Sequence, residues 1–355
     1  MNFNYLKIIQ SVPLNFSNYS APVSDEIILS IGKSGSFMYK SFIKTHPDTA
    51  TLPKMLIVPK GVKVDLNLEA NTLYSTHPHI TKESFSACNQ LLSFIKKNNP
   101  KKITVLLSGG SSALIEKSNS PEKTMKENAF LLKSGLNIVE MNEIRSKNSA
   151  IKNGKLAKLF PHVYWEVFVM SDIPFENGEK FVGSMPFYSE ELENTALFKC
   201  ADSNTLHDHI ISSLDIKNVR SIRNYTGTVD ELSKTVTDFI KNSSKNLIVT
   251  GEPTLKIDSL SPGIGGRMSH LALKTLPFLN KNISFCALSS DGIDGSSNFA
   301  GVILEGYSFS TLKADEIEAS LNAYDSATFF AKLKMVLKTG YTEINLNDFV
   351  VMMRS

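Results

Sequence analysis

The chain has 355 residues, of which 42% are hydrophobic and 21% charged, and its 38 basic and 35 acidic residues leave a formal net charge of +3. This length and composition predict a globular protein of two domains with a large core. The near balance of charge argues against nucleic acid or an anionic membrane as a partner.

Three widely spaced cysteines, Cys88, Cys200 and Cys286, form no Cys-x-x-Cys pair. They argue against a disulfide framework or a zinc site and favour a reducing compartment. The N-terminus lacks the features of a signal peptide, and no apolar run approaches the length of a membrane-spanning helix. We therefore expect the protein in the cytoplasm.

Short, almost continuously apolar runs predict strands that are buried on both faces of a sheet. They lie at residues 26–31, 55–58, 103–107, 163–170, 246–250, 283–289 and 349–353. Helical patterns lie between them, at residues 81–97, 203–214, 229–241, 268–277 and 326–337. This alternation predicts an α/β fold with a parallel or mixed sheet. The linker-like stretch 215–228 divides the chain into expected domains at 1–215 and 216–355.

Loops rich in Gly and Ser follow several of these strands, where ligands bind in open α/β sheets. Residues 31–36, IGKSGS, end like a Walker A motif but have Ile27 where its first glycine would be. Either Lys33 places a positive charge beside a helix start that suits an anion, or the segment is a tight turn with a surface lysine. Residues 108–113, SGGSSA, form either an anion-binding nest or a set of helix caps.

Further loops carry charged residues that suit phosphate and metal. Arg267 follows the glycine-rich residues 262–266 at the predicted start of a helix. Asp291 and Asp294 lie in the turn DGIDG, and Asp172 follows another strand. One or two carboxylates that hold Mg²⁺ beside a nucleotide fit this pattern better than an EF-hand does. Together with the two preceding loops, these residues describe a phosphoryl-transfer site.

In this order the loops resemble the glycerate 2-kinase family, whose members carry a C-terminal MOFRL domain. The matching stretches are IGKSGSFM, THP (76–78), LSGGSSALI, MNEIRSKNSAIKNGKLAKLF, MSDI, TGEPTLKI, GIGGRMSHLAL, SSDGIDGSSNFAGVIL and AYDSATFFAKLKMVLKTGYTEINLNDFVV. They cover most of the chain, from about residue 26 to the end. The stretch from Arg145 to Lys152 and the DGxDG loop are distinctive of this family.

The resemblance implies an N-terminal Rossmann-like three-layer sandwich with a mostly parallel sheet, and a smaller C-terminal α/β MOFRL domain. It implies an active cleft between them and leaves a return of the last strand to the first domain open. It also implies that ATP, with Mg²⁺ or another divalent cation, phosphorylates D-glycerate at the 2-hydroxyl to give 2-phosphoglycerate and ADP. The partners would be glycerate and ATP, with neither nucleic acid nor membrane, and a homodimer stays open.

The same match implies the site residues. Lys33, Arg267, Asp172 and Asp291 match the catalytic lysine, arginine and acids, with Lys33 and Arg267 acting on the transferring phosphoryl group. Asp291, Asp172 and Asp294 are the candidates for the metal, and either Asp172 or Asp291 would accept the hydroxyl proton. Residues expected to bind substrate or phosphate are Gly32, Ser34, Ser108, Gly109, Gly110, Ser111, Ser112, Arg145, Lys152, Glu252, Gly265 and Gly266.

The chain departs from the family pattern in places. Met268, Ser269 and His270 stand where Asn, Gln and Glu are usual, and Asn298 replaces an Asp. A kinase of another small hydroxy acid or sugar acid is therefore an alternative. A second alternative is an NAD(P)-dependent hydroxypyruvate reductase, a label that some relatives carry, although the G-x-G-x-x-G turn that it needs is missing. A third is a sugar-acid binding protein without catalytic activity.

Overall fold

The computed structural model describes residues 4–69, 71–136, 138–305 and 312–355. The chain divides into two compact units. Leu14–Asp202 form one, which we call the parallel-sheet unit. Ser203–Ser355 form the other together with the N-terminal residues up to Pro13, and we call it the mixed-sheet unit. Among the described residues, no helix combines the length and the apolar character needed to cross a membrane.

The parallel-sheet unit has six described strands: β1 (Glu26–Ile31), β2 (Lys54–Pro59), β3 (Thr72–Ser75), β4 (Lys102–Ser108), β5 (Tyr164–Met170) and β6 (Thr195–Ala201). All are parallel, in the order β3-β2-β1-β4-β5-β6. The helices are Gly35–Thr45, Leu66–Glu69, Lys82–Asn98, Ser111–Leu114, Pro121–Leu131, Ile138–Asn148 and Lys155–Lys158, with 3₁₀ turns at Pro47–Thr49 and Gly178–Ser184. This is the strand order of a Rossmann fold. The expected Rossmann-like sheet is confirmed.

The central strands form here because both of their faces are apolar. Every residue of β1 and β4 is buried. Ile27, Leu29 and Ile31 share one core cluster with apolar residues of helix Lys82–Asn98. On the other face helix Gly35–Thr45 packs against β1, β2 and β4. Helices therefore cover both faces of the sheet and make the three layers that were expected.

The mixed-sheet unit also has six described strands: β7 (Val219–Tyr225), β8 (Asn246–Gly251), β9 (Ile283–Ser289), β10 (Gly301–Leu304), β11 (Val336–Leu337) and β12 (Asp348–Arg354). Their order is β11-β10-β9-β12-β8-β7. β12 runs antiparallel to both β8 and β9, whereas β7 and β8 are parallel. The helices described here are Tyr5–Gln10, Ser203–Ser213, Val229–Asn242, Arg267–Thr275, Ala314–Asn322 and Ser326–Lys332, with a 3₁₀ turn at Leu276–Phe278.

The structure divides the chain at a different place from the expected 215/216. The division falls after Asp202, because helix Ser203–Ser213 packs on β7 and β8. The stretch 215–228, expected to be linker-like, contains β7, whose half-exposed sequence VRSIRNY lies at the edge of the second sheet. The last strand, for which a return to the first domain stayed open, lies in the middle of the second sheet.

A buried lysine holds two carboxylates near the starts of β1, β4 and β5. Lys102 Nζ lies 3.0 Å from Glu166 Oε2 and 3.5 Å from Glu26 Oε1, and all three side chains are almost fully buried. Thr104 and Tyr19 donate their hydroxyls to Glu26, at 2.7 and 3.1 Å. Removing the lysine would leave two buried carboxylates without a cation, which is strongly unfavourable.

We therefore expect Lys102→Met to lower the free energy of unfolding by about 3–5 kcal/mol, measured by urea denaturation. The matched control is Lys101→Met, which removes the neighbouring lysine. The Lys101 side chain is 81% exposed and pairs with Asp25 at the surface, so its loss should change stability little. Equal losses in the two variants would show that the buried network does not depend on its cation.

Candidate active site

Two loops of the parallel-sheet unit meet where the strand order reverses between β1 and β4. Lys33 donates its backbone N–H to Gly109 O at 2.9 Å, and Ser34 donates its backbone N–H to Ser108 Oγ at 3.0 Å. Gly32 has a φ of +131°, and a Cβ built there would lie 2.2 Å from Ser108 Oγ. Glycine at this position therefore lets the two loops approach each other.

Asp172, which follows β5, brings a carboxylate to the same place. A Cβ on Gly109 would lie 2.1 Å from Asp172 Oδ2, so the carboxylate lies against the glycine backbone. A Cβ on Gly110 would lie 3.1 Å from Lys33 Cγ and 2.9 Å from His77 Cδ2. The structure thus brings together the residues that we call the switch-point cluster: residues 32–36, His77, residues 108–112 and Asp172.

Three serine hydroxyls of the switch-point cluster have no hydrogen-bond partner. The Oγ atoms of Ser34, Ser36 and Ser111 are buried and bond to no other group of the described chain. Buried polar atoms are nearly always paired in folded proteins. These hydroxyls are therefore available to an oxyanion, as the sequence predicts for the two loops.

His77, which sequence reasoning did not select, lies beside Lys33. Burial lowers its pKa to about 4, and the charges of Lys33 and Arg145 act in the same direction. Arg145 donates to Asn128 Oδ1 at 3.0 Å, and Asn128 Nδ2 donates to Pro78 O at 3.3 Å. The signal in the sequence is the Thr-His-Pro turn directly after β3, at the same edge of the sheet as the other loops.

Lys152 lies beneath the glycine-rich loop, where it cannot make the expected contact with substrate or phosphate. Its side chain is 1% exposed, and Nζ lies 2.6 Å from Glu116 Oε2 and 2.9 Å from Ser112 O. Ser149 Oγ donates to Glu116 Oε1 at 2.6 Å. Burial lowers the pKa of Lys152, against the effect of Glu116. Lys152 therefore positions the backbone of the loop.

In the mixed-sheet unit, Arg267 is held by two carboxylates. Nη1 donates to Glu252 Oε1 at 2.7 Å, and Nε lies 3.0 Å from Asp348 Oδ2. Burial raises the pKa of Asp348 to about 7, although Arg267 lowers it. Burial lowers the pKa of Arg267, but Asp348 and Glu252 raise it by more, so the guanidinium stays charged. Glu252, expected to bind substrate or phosphate, is a partner of Arg267 and leaves 45% of its side chain exposed.

Asp294 caps helix Arg267–Thr275 and is only 2% exposed. Its Oδ1 accepts from Met268 N at 2.9 Å and its Oδ2 from Ser269 N at 2.8 Å. A Cβ on Gly266 would lie 2.2 Å from Asp294 Oδ1, so glycine is needed for this approach. Both carboxylate oxygens are used, and the metal role expected for Asp294 is replaced by a structural one. Its charge also occupies the helix N-terminus, which would otherwise favour a phosphate.

Asp291 is half-buried and better placed for a metal. Its Oδ1 accepts from Ser289 Oγ at 3.1 Å and from Ile293 N at 3.0 Å. In the described part of the chain, no group of three or more His, Cys, Asp or Glu side chains is arranged to hold a metal ion. Mg²⁺ needs no such cage, since one or two carboxylates hold it together with phosphate oxygens and water. Asp291 therefore fits this cation, whereas Asp294 does not.

The lowered pKa of His77 gives a prediction about pH. An unfolded histidine takes up its proton near pH 6.5 and folded His77 only near 4, so the free energy of unfolding should fall as the pH is lowered between these values. NMR titration of the ring protons should give a midpoint near pH 4. Lys33→Met should raise that midpoint, because it removes a nearby positive charge. An unchanged midpoint in Lys33→Met would contradict the proximity of the two side chains.

Comparison with known proteins identifies the family. Residues 9–215 match the model of a domain of unknown function, DUF4147, and residues 245–348 match the MOFRL family. A glycerate 2-kinase of Sulfurisphaera tokodaii is 29% identical over 93% of this chain and 90% of its own length. A D-glycerate 2-kinase of Thermotoga maritima is 25% identical over 92% of this chain and 89% of its own.

A relative from Agrobacterium vitis, provisionally named a hydroxypyruvate reductase, is 24% identical over 91% of this chain and 85% of its own. The solved structure of a Thermotoga maritima glycerate kinase has a TM-score of 0.84 at 21% identity, over 99% of this chain and 98% of that one. This likeness confirms the fold. Because the first family match alone spans more than half of the chain, the protein belongs to the DUF4147 family and carries a C-terminal MOFRL domain.

Proposed function

We propose that this chain is an ATP-dependent kinase that phosphorylates D-glycerate at its 2-hydroxyl, giving 2-phosphoglycerate and ADP. Relatives that match nine-tenths of the chain are named glycerate 2-kinases. The observation that carries the proposal is the switch-point cluster, where Lys33 and Asp172 lie against one glycine-rich loop. A cation, a carboxylate and unpaired hydroxyls side by side suit the transfer of a phosphoryl group to an alcohol.

The glycine-rich loop would hold the acceptor. The carboxylate of glycerate is a small anion, and the unpaired Ser111 hydroxyl and the loop amides around Gly110 offer donors to it. Arg145 is a second candidate for this carboxylate, since one of its nitrogens, Nε, is buried and has no hydrogen-bond partner among the described residues. The Lys152–Glu116 pair would keep the loop in the geometry that binds the acid.

In the transfer step, the 2-hydroxyl oxygen attacks the γ-phosphorus of ATP, its proton passes to Asp172, and ADP leaves. Lys33 would neutralise charge that spreads over the phosphoryl oxygens. We assign the proton to Asp172 because it shares the switch-point cluster with Lys33. Mg²⁺, held by Asp291, would supply further positive charge to the phosphate oxygens.

The reductase alternative gains no support from the first turn of the parallel sheet. A dinucleotide-binding turn there would need glycine at positions 32, 34 and 37, and Ser34 and Phe37 occupy the last two.

A coupled assay tests the proposed reaction. With ATP, Mg²⁺ and D-glycerate, enolase should report product directly, without phosphoglycerate mutase. A signal that needs the mutase would mean transfer to the 3-hydroxyl. Formation of ADP with other hydroxy acids but not with glycerate would favour a kinase of another small hydroxy acid, and NAD(P)H oxidation with hydroxypyruvate would favour the reductase.

Variants of the two cluster residues should separate chemistry from folding. Asp172→Asn should lower kcat by about 10²–10⁴, because the proton acceptor is lost. Lys33→Met should also lower kcat far more than it raises KM. Both should keep a melting temperature close to that of the wild type. Asp294→Asn is the contrast: it should lower the melting temperature because one of the two oxygens that accept buried backbone N–H groups becomes an amide NH2, which leaves that N–H unsatisfied. Wild-type kcat in Asp172→Asn would contradict its assignment as the proton acceptor.

A further inference from the structure

A cavity of about 540 Å³ lies within the mixed-sheet unit and borders Arg267. Leu255, Ile257, His270 and Tyr324 contribute to its wall. Ile257 leaves 49% of its surface exposed although it is apolar. The rings of Tyr324 and His270 are stacked, with centroids 5.5 Å apart and an angle of 18° between their planes. An apolar and aromatic wall of this kind suits a flat aromatic ligand.

His270 gives the wall a neutral polar ring. It is only 5% exposed, and its Nδ1 makes no hydrogen bond to any residue that the structure describes. Burial, together with the charge of Lys274, lowers the pKa of His270 to about 4, so the ring carries no charge at pH 7.

The glycine-rich segment beside the cavity is a fixed wall. The backbone N–H groups of Gly263, Ile264 and Gly265 all donate hydrogen bonds within the unit. Gly266 lies against Asp294, which fills the N-terminus of the following helix. The amides of Gly263, Ile264 and Gly265 therefore already donate hydrogen bonds within the protein. The structure gives no support to the expected direct binding of phosphate by Gly265 and Gly266. A ligand in the cavity would therefore contact mainly apolar surface along this wall, with the charged Arg267 side chain at one edge.

We propose that this cavity binds the nucleobase and ribose of the ATP, an inference that rests on the proposed function. The two substrates of that reaction differ in chemistry. Glycerate is a three-carbon anion that suits the hydroxyls and charges of the switch-point cluster. A nucleoside is flat, uncharged and much larger, and the cavity has the volume and the aromatic wall for it. The phosphates would extend from the cavity towards Arg267.

Ile257→Asp tests this assignment with little risk to folding, because the side chain is half-exposed. A carboxylate in the wall would have to lose water on contact with a base. We expect the affinity for Mg²⁺–ADP, measured by calorimetry, to fall about tenfold or more. The KM for ATP should rise by a similar factor, whereas the KM for glycerate should not change. The matched control is Leu260→Asp, which adds the same charge to a fully exposed position of the same segment outside the cavity wall.

Tyr324→Asn is a second, independent variant. It removes the ring, and Asn tolerates the φ of +53° at this position. Loss of stacking should weaken ADP binding by about tenfold. Wild-type ADP affinity in the folded Ile257→Asp variant, an equal loss in Leu260→Asp, or no measurable ADP binding by the wild-type protein would each overturn the assignment. A different outcome separates the two proposals: the wild-type protein binds ADP but phosphorylates no glycerate, and Ile257→Asp loses the ADP binding. This outcome would overturn the proposed function and leave the cavity assignment standing.

Discussion

The close approach of two loop backbones at the β1–β4 junction is the constraint on which the candidate site depends. The connections that follow β1 and β4 lead to opposite faces of the sheet and so open a crevice between them. The hydrogen bond from Lys33 N–H to Gly109 O closes it from one side, and Asp172 lies against the same glycine from the other. Side chains at Gly32, Gly109 or Gly110 would push these groups apart. The glycines of the two loops therefore determine how closely Lys33 and Asp172 can approach.

Two buried lysines of the parallel-sheet unit have different consequences. Lys102 and its two glutamates lie near the amino ends of the strands, far along the sheet from the loops that carry the site. Lys152 and Glu116 lie under the glycine-rich loop itself. A buried ion pair contributes little net stability compared with apolar residues, but its geometry is demanding. The Lys152–Glu116 pair fixes the position of the Ser112 carbonyl in the loop. The same type of interaction therefore supports the sheet at Lys102 and the candidate site at Lys152.

Much of the fold and part of the site could be predicted from the sequence. Fully buried strands such as β1 and β4 have continuous apolar runs, whereas β3, β6 and β7 are half-exposed and give no such signal. Lys33, Asp172 and Asp291 could be selected from the sequence because a charged residue in the loop directly after a predicted strand is a local pattern. The ion pair of Lys152 and the hydrogen bonds of Asp294 involve partners far away in the sequence. These partners are Glu116 and the backbone at the start of helix Arg267–Thr275. Sequence position alone could not show that these charges are already neutralised or capped.

The central place of β12 in the second sheet has a consequence for how the protein is made. β8 and β9 do not pair with each other; each bonds to β12, which begins almost 60 residues after β9 ends. On the ribosome the Leu14–Asp202 segment is complete early and can fold as a unit. The second sheet has a gap at its centre until Asp348–Arg354 leave the ribosome. Helix Tyr5–Gln10 is synthesised first, but it can pack only after helix Ser203–Ser213 has been made. Such long-range pairing folds slowly and leaves strand edges open in the nascent chain.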